Sequence, residues 1–436
     1  MTRTLDVYLY GERIATIDRL RSDLRLRYTR EHIAGDDSVP ISVQFPVTPE
    51  LFIGRGVRWF LENLLPDRPD VKEAWAVEAG LDSTDAFDLL AVYGADVAGA
   101  LEFYPQGRDP RDLSVHRPIH EEDIAARIRS IRADDSRWTE GIGKNAPFSL
   151  GGAQGKFALA RRDGQWCEPT GTAPSTHIIK PGVKNFEGSD VTEHITMETA
   201  RRLGIPVART HIELFAGEHA LVVERFDRIE VDGRLIRIHQ EDLAQATATP
   251  TIKKYESTGG PGYRRIFDLF DRYLDPGAAS DAKLRFAESL VFSWIIGHAD
   301  GHSKNYSLTL LPEGSFLSPL YDLNCNPVFE PEATCRAKDY RAFDSLELAF
   351  SVGGKRALGE FDRSSLRILE RDAGLQDGYL ATYAFALAAR LVPTVNEIID
   401  ELPEKLRLLT AVKNFPFVAY SQLNRVADVL DAPMEP

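Results

Sequence analysis

The segment HADGHSKN, residues 298–305, sets His298, Asp300 and Asn305 in the order H-x-D-x-x-x-x-N. At that spacing one carboxylate can orient an attacking hydroxyl while a downstream amide oxygen helps to hold a divalent cation, which is the chemistry of phosphoryl transfer. Asp322 follows in PLYDLN and offers a second hard oxygen ligand of the kind Mg²⁺ takes. Two other readings compete. Asp300 and Asn305 could simply cap turns after the preceding apolar helix, and His298, Asp300 and His302 spell an H-x-D-x-H pattern that would suit a zinc or iron hydrolase. The remaining histidines are scattered without pairing and supply no obvious further ligand.

Phosphoryl transfer also needs a phosphate cradle and a lysine. The stretch SLGGAQGK, Ser149 to Lys156, offers backbone N–H groups at Gly151 and Gly152 that no side chain shields, although it is neither a G-x-x-x-x-G-K-[ST] loop nor a G-x-G-x-x-G turn. Lys180 ends the strand-like THIIK, and Pro181 forces the chain to turn there, so the lysine can project towards phosphates. Glu193, on the next helix, either pairs with Lys180 or serves with Asp190 as the capping box that starts that helix.

These residues need elements to place them. Leu5, Val7 and Leu9 alternate, as do Ile14 to Ile17 and Leu24 to Tyr28, which predicts antiparallel hairpins at the start of the chain. VRWFLENLLP and DAFDLLAVYG have helical period, and a first domain closes near residue 105. PQGRDPRDLSVHRP reads as a linker, followed by a polar helix near Glu121 to Ile131 and by a hairpin turning at Asp163-Gly164. From about Gln240 onward, three- and four-residue apolar spacing predicts mainly helices.

Composition narrows the function classes. A net charge of −14 and a pI near 5.3 argue against broad neutralisation of nucleic-acid phosphates. Arg13, Arg19, Arg21, Arg25, Arg27 and Arg30 are read as a solvated strand face, with a local anionic partner as the alternative. Three cysteines, Cys167, Cys325 and Cys335, without a C-x-x-C pair, point to a reducing cytoplasm, and no apolar run is long enough to span a membrane. The first residues, MTRTLDVYLYGER, lack the apolar core of a signal peptide.

SLGGAQGK, STHIIKP, the helix with EHITM, VVERFDR, HQEDLAQA followed by KKYE, and DGHSKN with YDLN together resemble the HipA family of bacterial toxin kinases, in order and spacing over nearly the whole chain. The first hundred residues, ending in YGADVAGAL, resemble that family's N-terminal coupling domain. The resemblance implies an α+β, two-lobed protein-kinase-like fold behind a small N-terminal β-rich domain. The expected layout is a coupling domain at 1–105, a linker and helix at 106–144, an ATP-binding β-rich lobe at 145–239 and a helical catalytic lobe at 240–436.

The resemblance further implies ATP and Mg²⁺ as cofactors, Asp300 as the catalytic carboxylate, and Asn305 and Asp322 as metal ligands. Gly151, Gly152, Ala153, Lys180 and His302 become ATP contacts, and Glu224 and Phe226 the hinge that receives adenine. Ser149 matches the family's autophosphorylated serine. The implied acceptor is a protein serine, with aminoacyl-tRNA synthetases among the family's known targets, and the implied partner is a small helix-turn-helix antitoxin through which DNA is reached only indirectly. Gly155 departs from the family, which usually carries a charged residue there. A small-molecule phosphotransferase of related fold and an inactive kinase-like module that only holds an antitoxin are the alternatives.

Overall fold

The computed structural model describes residues 3–20, 23–108, 114–138 and 148–432. The chain divides into two compact units, one made of Met1–Pro181, Glu213–Lys254 and Ser307–Ser318, the other of Gly182–Ile212, Tyr255–Tyr306 and Pro319–Pro436.

The first unit opens with strands β1 (Thr4–Leu9), β2 (Glu12–Leu20), β3 (Asp23–Tyr28), β4 (Phe52–Ile53) and β5 (Leu101–Pro105), ordered β4-β3-β2-β1-β5. On β3 the alternation is clean: Leu24, Leu26 and Tyr28 are buried while Arg27 faces solvent. Arg13 pairs with Asp6, and Arg19 lies over the Phe87 ring while bonding Asp85 and Asp88, so these two arginines of the basic stretch are already neutralised within the chain. Arg21 lies outside the described residues. Helices Arg55–Asn63 and Ala86–Tyr93 occupy the two stretches of helical period. A helix between them, Pro69–Ala79, was not anticipated; it buries only Val71, Trp75 and Ala76 and is delimited by Pro at its start and left-handed Gly80 at its end.

A second sheet uses β6 (Val115–Pro118), β7 (Phe157–Arg162), β8 (Gln165–Thr170), β9 (His177–Lys180), β10 (Thr210–Phe215) and β11 (Glu218–Glu224) in the order β10-β11-β9-β7-β8-β6. Its core joins Phe157, Leu159, Ile179 and Val222 to Ile124 and Ile128 of helix Glu121–Ala133. Asp163 and Gly164, with φ of 50° and 80°, make the expected tight turn between β7 and β8. Strand β6 comes from the stretch read as a linker. It pairs with β8 at the sheet edge and leaves Val115 50% exposed, so it carries no buried alternation that a pattern could reveal. Residues 109–113 of that stretch lie outside the described residues.

A hairpin of β12 (Arg228–Val231) and β13 (Arg234–Arg237) leads to a three-stranded sheet of β14 (Gln240–Asp242), β15 (Ser307–Leu311) and β16 (Gly314–Leu317). The chain beyond residue 240 is therefore not wholly helical. HQEDLAQA here clasps the N-terminal segment: Glu241 accepts from the Val43 N–H at 2.8 Å, a ring nitrogen of His239 meets the Ile41 carbonyl at 3.0 Å, and Gln245 donates to the Phe60 carbonyl at 3.2 Å.

The second unit is a helical body with one small hairpin, β17 (Glu347–Val352) and β18 (Lys355–Ala357). Helices Pro276–Ile296, Tyr379–Glu401 and Thr410–Leu430 supply most of its core, and the run from Ser289 to Ile296 is buried at every position. Helix Ser189–Arg202 corrects one expectation. Its N-cap is Gly188 with φ of 81°, without a side-chain cap, and Asp190 and Glu193 are buried within the helix rather than forming a capping box. The helix starts two residues earlier than expected, and the Ser189 hydroxyl accepts from the Val183 N–H at 2.8 Å. Gly204 does follow the helix end, with φ of 91°.

Burial pushes the Glu241 carboxyl up from an ordinary 4.5 to about 8, because its ionised form is desolvated by more than the bonds from Ser42 and Val43 offset. Over that window the folded chain binds more protons than the unfolded one, so this group's contribution is complete below about pH 4.5 and lost as pH rises to about 8. Glu241→Gln should flatten that part of the pH dependence and gain more than about 1 kcal/mol over wild type at the upper end, read from urea unfolding at each pH.

Candidate active site

The catalytic-loop candidate emerges from the C-terminus of the buried helix Pro276–Ile296. Gly297 ends that helix with φ of 74°, and a Cβ there would lie 2.7 Å from Pro327 Cγ, so both backbone and packing require glycine. His298 follows, fully buried. Its Nδ1 accepts from the Asn324 N–H at 3.2 Å, and burial pushes its pKa down to about 4, which keeps the ring neutral. The histidine thus ties the loop to the chain around YDLN. Asp300 is exposed. Its carbonyl accepts from the His302 N–H at 2.8 Å and from Asn305 Nδ2 at 2.9 Å, and its carboxylate accepts from the Tyr255 hydroxyl. Asp322 has φ of 60°, a left-handed backbone that is strained for a residue other than glycine. The two residues before it are held in place, since Leu320 pairs with Val207 and the Tyr321 hydroxyl donates to the Lys304 carbonyl at 2.8 Å.

Asp300, His302 and Asn305 are therefore drawn into one hydrogen-bonded loop, and Asp322 lies close enough to His298 to act on it electrostatically. Among the described residues no three His, Cys, Asp or Glu side chains gather as a metal cage. Asn305 and Asp322 are hard oxygen donors, and Mg²⁺ is commonly held by one or two such groups with phosphates and waters completing its shell. The oxygen chemistry of these two residues fits Mg²⁺ better than zinc, which prefers sulfur and nitrogen ligands.

The first unit carries the other candidates. Lys180, 6% exposed, lies on β9 opposite Leu221, and Glu224 ends β11 opposite His177, so one strand pair carries both the lysine and the proposed hinge. Phe226 is half-buried, and between it and Glu224 the Arg225 side chain turns inward. The glycine loop rests on residues of the N-terminal segment. Ser149 is fully buried, its N–H donating to the Asp96 carbonyl at 2.9 Å and its hydroxyl to the Leu64 carbonyl at 2.7 Å. Gly152, with φ of 105°, bridges to Pro66; its carbonyl accepts from the Asp67 N–H at 2.9 Å and its N–H reaches Asp67 Oδ1 at 3.3 Å. Lys254 then holds Asp67 at 2.8 Å. Gly151 is half-buried and Ala153 exposed, and Gln154 donates to the Pro181 carbonyl at 3.3 Å, joining the loop to the end of the Lys180 strand.

Comparison with known proteins places both parts of the chain in one family. Residues 5–104 match the HipA N-terminal domain, and residues 148–405 match the HipA-like C-terminal domain. This chain belongs to the HipA family of protein kinases. The Shewanella oneidensis serine/threonine-protein kinase toxin HipA is 31% identical over 384 residues, 82% of each chain. Y4mE of Sinorhizobium fredii is 30% identical over 380 residues, 86% of each chain. A solved structure of the Shewanella oneidensis toxin–antitoxin system, HipA with HipB and operator DNA, matches at a TM-score of 0.79 and 26% identity, covering 99% of this chain and 100% of that one. The α+β kinase-like fold is that of HipA.

Two residues bonded to these candidates, Tyr255 to Asp300 and Asp67 to Gly152, carried no role in the sequence reading. Tyr255 sat in the quoted KKYE, and Asp67 in no motif at all. The glycine at 155 has a local reason. A Cβ there would fall 2.5 Å from Ile131 Cγ2 and 3.4 Å from the Asp135 carbonyl, so the helix Glu121–Ala133 leaves no room for a side chain. Gly155→Glu should destabilise the fold by at least about 2 kcal/mol, from overpacking and a buried charge together, with Gly155→Ala losing less. Urea denaturation of the two variants beside wild type measures both.

Proposed function

We propose that this chain is an ATP- and Mg²⁺-dependent serine/threonine-protein kinase, the toxin of a HipBA-type pair, which phosphorylates a protein serine and also itself at Ser149. The observation that carries the reading is the loop at 298–305, where an exposed carboxylate sits on a backbone pinned by the downstream asparagine amide. Bound Mg²⁺-ATP supplies the γ-phosphoryl group and the charge neutralisation for its transfer. Asp300 accepts a hydrogen bond from the acceptor hydroxyl and orients it for attack. Asn305 and Asp322 would hold the metal, and Lys180 would pair with the phosphates. Gly151, Gly152 and Ala153 approach them through backbone, His302 adds a contact from the catalytic loop, and Glu224 and Phe226 receive adenine.

The partner side of the proposal is a small helix-turn-helix antitoxin of HipB type. Net charge of −14 leaves this chain poorly equipped to grip DNA, so operator affinity would come from that partner. An aminoacyl-tRNA synthetase is the acceptor class proposed from the family resemblance.

Two variants separate the assigned roles. Asp300→Asn should abolish transfer of labelled γ-phosphate into a bacterial lysate while leaving ATP affinity nearly intact, whereas Asp322→Ala should weaken Mg²⁺-dependent ATP binding itself. Equal ATP affinities in the two would contradict the division.

Ser149 gives a second test. Its hydroxyl is enclosed and bonded to Leu64, so phosphorylation requires the loop to leave its seat, and about −1.5 to −2 added charges would prevent its return. After incubation with Mg²⁺-ATP, mass spectrometry should find phosphate at Ser149 in wild type and none in Asp300→Asn, with ATP affinity lost in the modified protein.

A further inference from the structure

KKYE is a sequence motif to which the reading above gives no task, and the structure places its last two residues against the catalytic loop and the helical body. Tyr255 donates its hydroxyl to Asp300 Oδ1, and its ring meets the His302 imidazole edge to face at 4.9 Å. The tyrosine is itself fixed. Its carbonyl accepts from the Thr258 N–H at 3.1 Å, the Thr258 hydroxyl at 3.0 Å and the Gly260 N–H at 2.9 Å, which closes a tight turn on it. Glu256 anchors that turn to β17 and β18: it accepts from the Ser351 N–H at 2.6 Å and the Ser351 hydroxyl at 2.8 Å, and Arg356 lies 3.5 Å away. A Cβ on Gly262 would come within 2.9 Å of the Glu256 carboxylate, so the chain closes over the anchor as well.

We propose that Tyr255 is a positioning residue for phosphoryl transfer, holding the Asp300 carboxylate in the orientation that receives the acceptor hydroxyl, with Glu256 as the anchor that holds Tyr255. The inference rests on the reading of Asp300 as the catalytic carboxylate. The His302 N–H and the Asn305 amide bond the Asp300 backbone carbonyl and fix where the residue starts, while the Tyr255 hydroxyl bonds the carboxylate at the end of its two side-chain torsions. A donor on one carboxylate oxygen sets both torsions and so determines where the other oxygen points. Asp300 is exposed, which leaves its carboxylate accessible to an acceptor hydroxyl.

A positioning hydroxyl acts on the reacting geometry and not on nucleotide capture. Tyr255→Phe keeps the ring, its packing on His302 and the turn, and removes only the donor. The expected result is a maximal rate at saturating Mg²⁺-ATP lowered on the order of 10–100-fold, the effect of losing one hydrogen bond to a charged group that positions a reactant. The KM for ATP should stay within about twofold of wild type. The measurement follows labelled γ-phosphate into a bacterial lysate and into the chain itself, for wild type, Tyr255→Phe, Asp300→Asn and the double variant. The double variant should be no slower than Asp300→Asn alone, because the tyrosine acts only through that carboxylate.

A wild-type rate in Tyr255→Phe, a raised rate, or a raised KM with unchanged maximal rate would each overturn the proposal while Asp300→Asn remains inactive. A raised rate would mean that the phenol merely occupies the place of the acceptor hydroxyl. If Asp300→Asn itself keeps the wild-type rate, the failure belongs to the assignment of the catalytic carboxylate. Should Tyr255→Phe not fold, Glu256→Gln is the second arm. It retains the tyrosine, weakens its anchor, and must show the same loss of maximal rate with KM for ATP preserved; an unchanged rate overturns the proposal.

Discussion

Two carboxylates, Asp96 and Asp227, stand where distant stretches of the first unit meet. Each is at most 2% exposed. Arg228 reaches Asp96 at 2.8 Å and Arg225 reaches Asp227 at 2.8 Å, with Arg237 3.7 Å from Asp96. Burial alone would push the Asp96 carboxyl up, but the three arginines overcome it and hold that carboxyl below its ordinary range. The same carboxylates collect polar groups from elsewhere: Ser175 donates to Asp96, while the Gly99 N–H and the Gln240 amide donate to Asp227. A buried ion cluster of this kind adds little net stability over apolar packing, yet losing one member strands the others. Its effect is geometric. It sets the register between YGAD, the strand of Lys180, the VVERFDR turn and β14, and the Asp96 carbonyl in turn seats Ser149.

Much of the candidate site was legible because its residues are local in sequence. Asp300 and Asn305 are five residues apart, and the bond from the Asn305 amide to the Asp300 carbonyl is the spacing made physical. Tyr255 touches the same aspartate from 45 residues away, and Asp67 touches Gly152 across 85. No pattern of period two or 3.6 encodes such pairs, so they surface only when the chain is folded. HQEDLAQA was visible as a motif but not as a clasp, because its partners Ile41, Val43 and Phe60 contribute backbone atoms, which any residue carries.

The fold shows the same division. Alternation announced β1 to β3, and three- and four-residue apolar spacing announced the long helices. Edge strand β6 exposes its side chains and left no signature, and β14 pairs with β15 across a stretch of more than sixty residues that is largely helical. The start of helix Ser189–Arg202 was misplaced for a related reason: its acidic residues are buried inside the body, a tertiary fact that overrode the local capping grammar.

The seat of the glycine loop is built from Leu64, Pro66, Asp67 and Asp96, all within the part of the chain that matches the HipA N-terminal domain, whereas the loop itself belongs to the part that matches the C-terminal domain. The two halves are thus separable as families of sequence and inseparable as machinery. A fragment cut near residue 105 would keep every residue proposed for catalysis and still lose the floor on which its glycine loop lies. Shuffling N-terminal halves between relatives would exchange that floor as well, so recombined chains inherit their loop geometry from the half that holds none of the proposed catalytic residues.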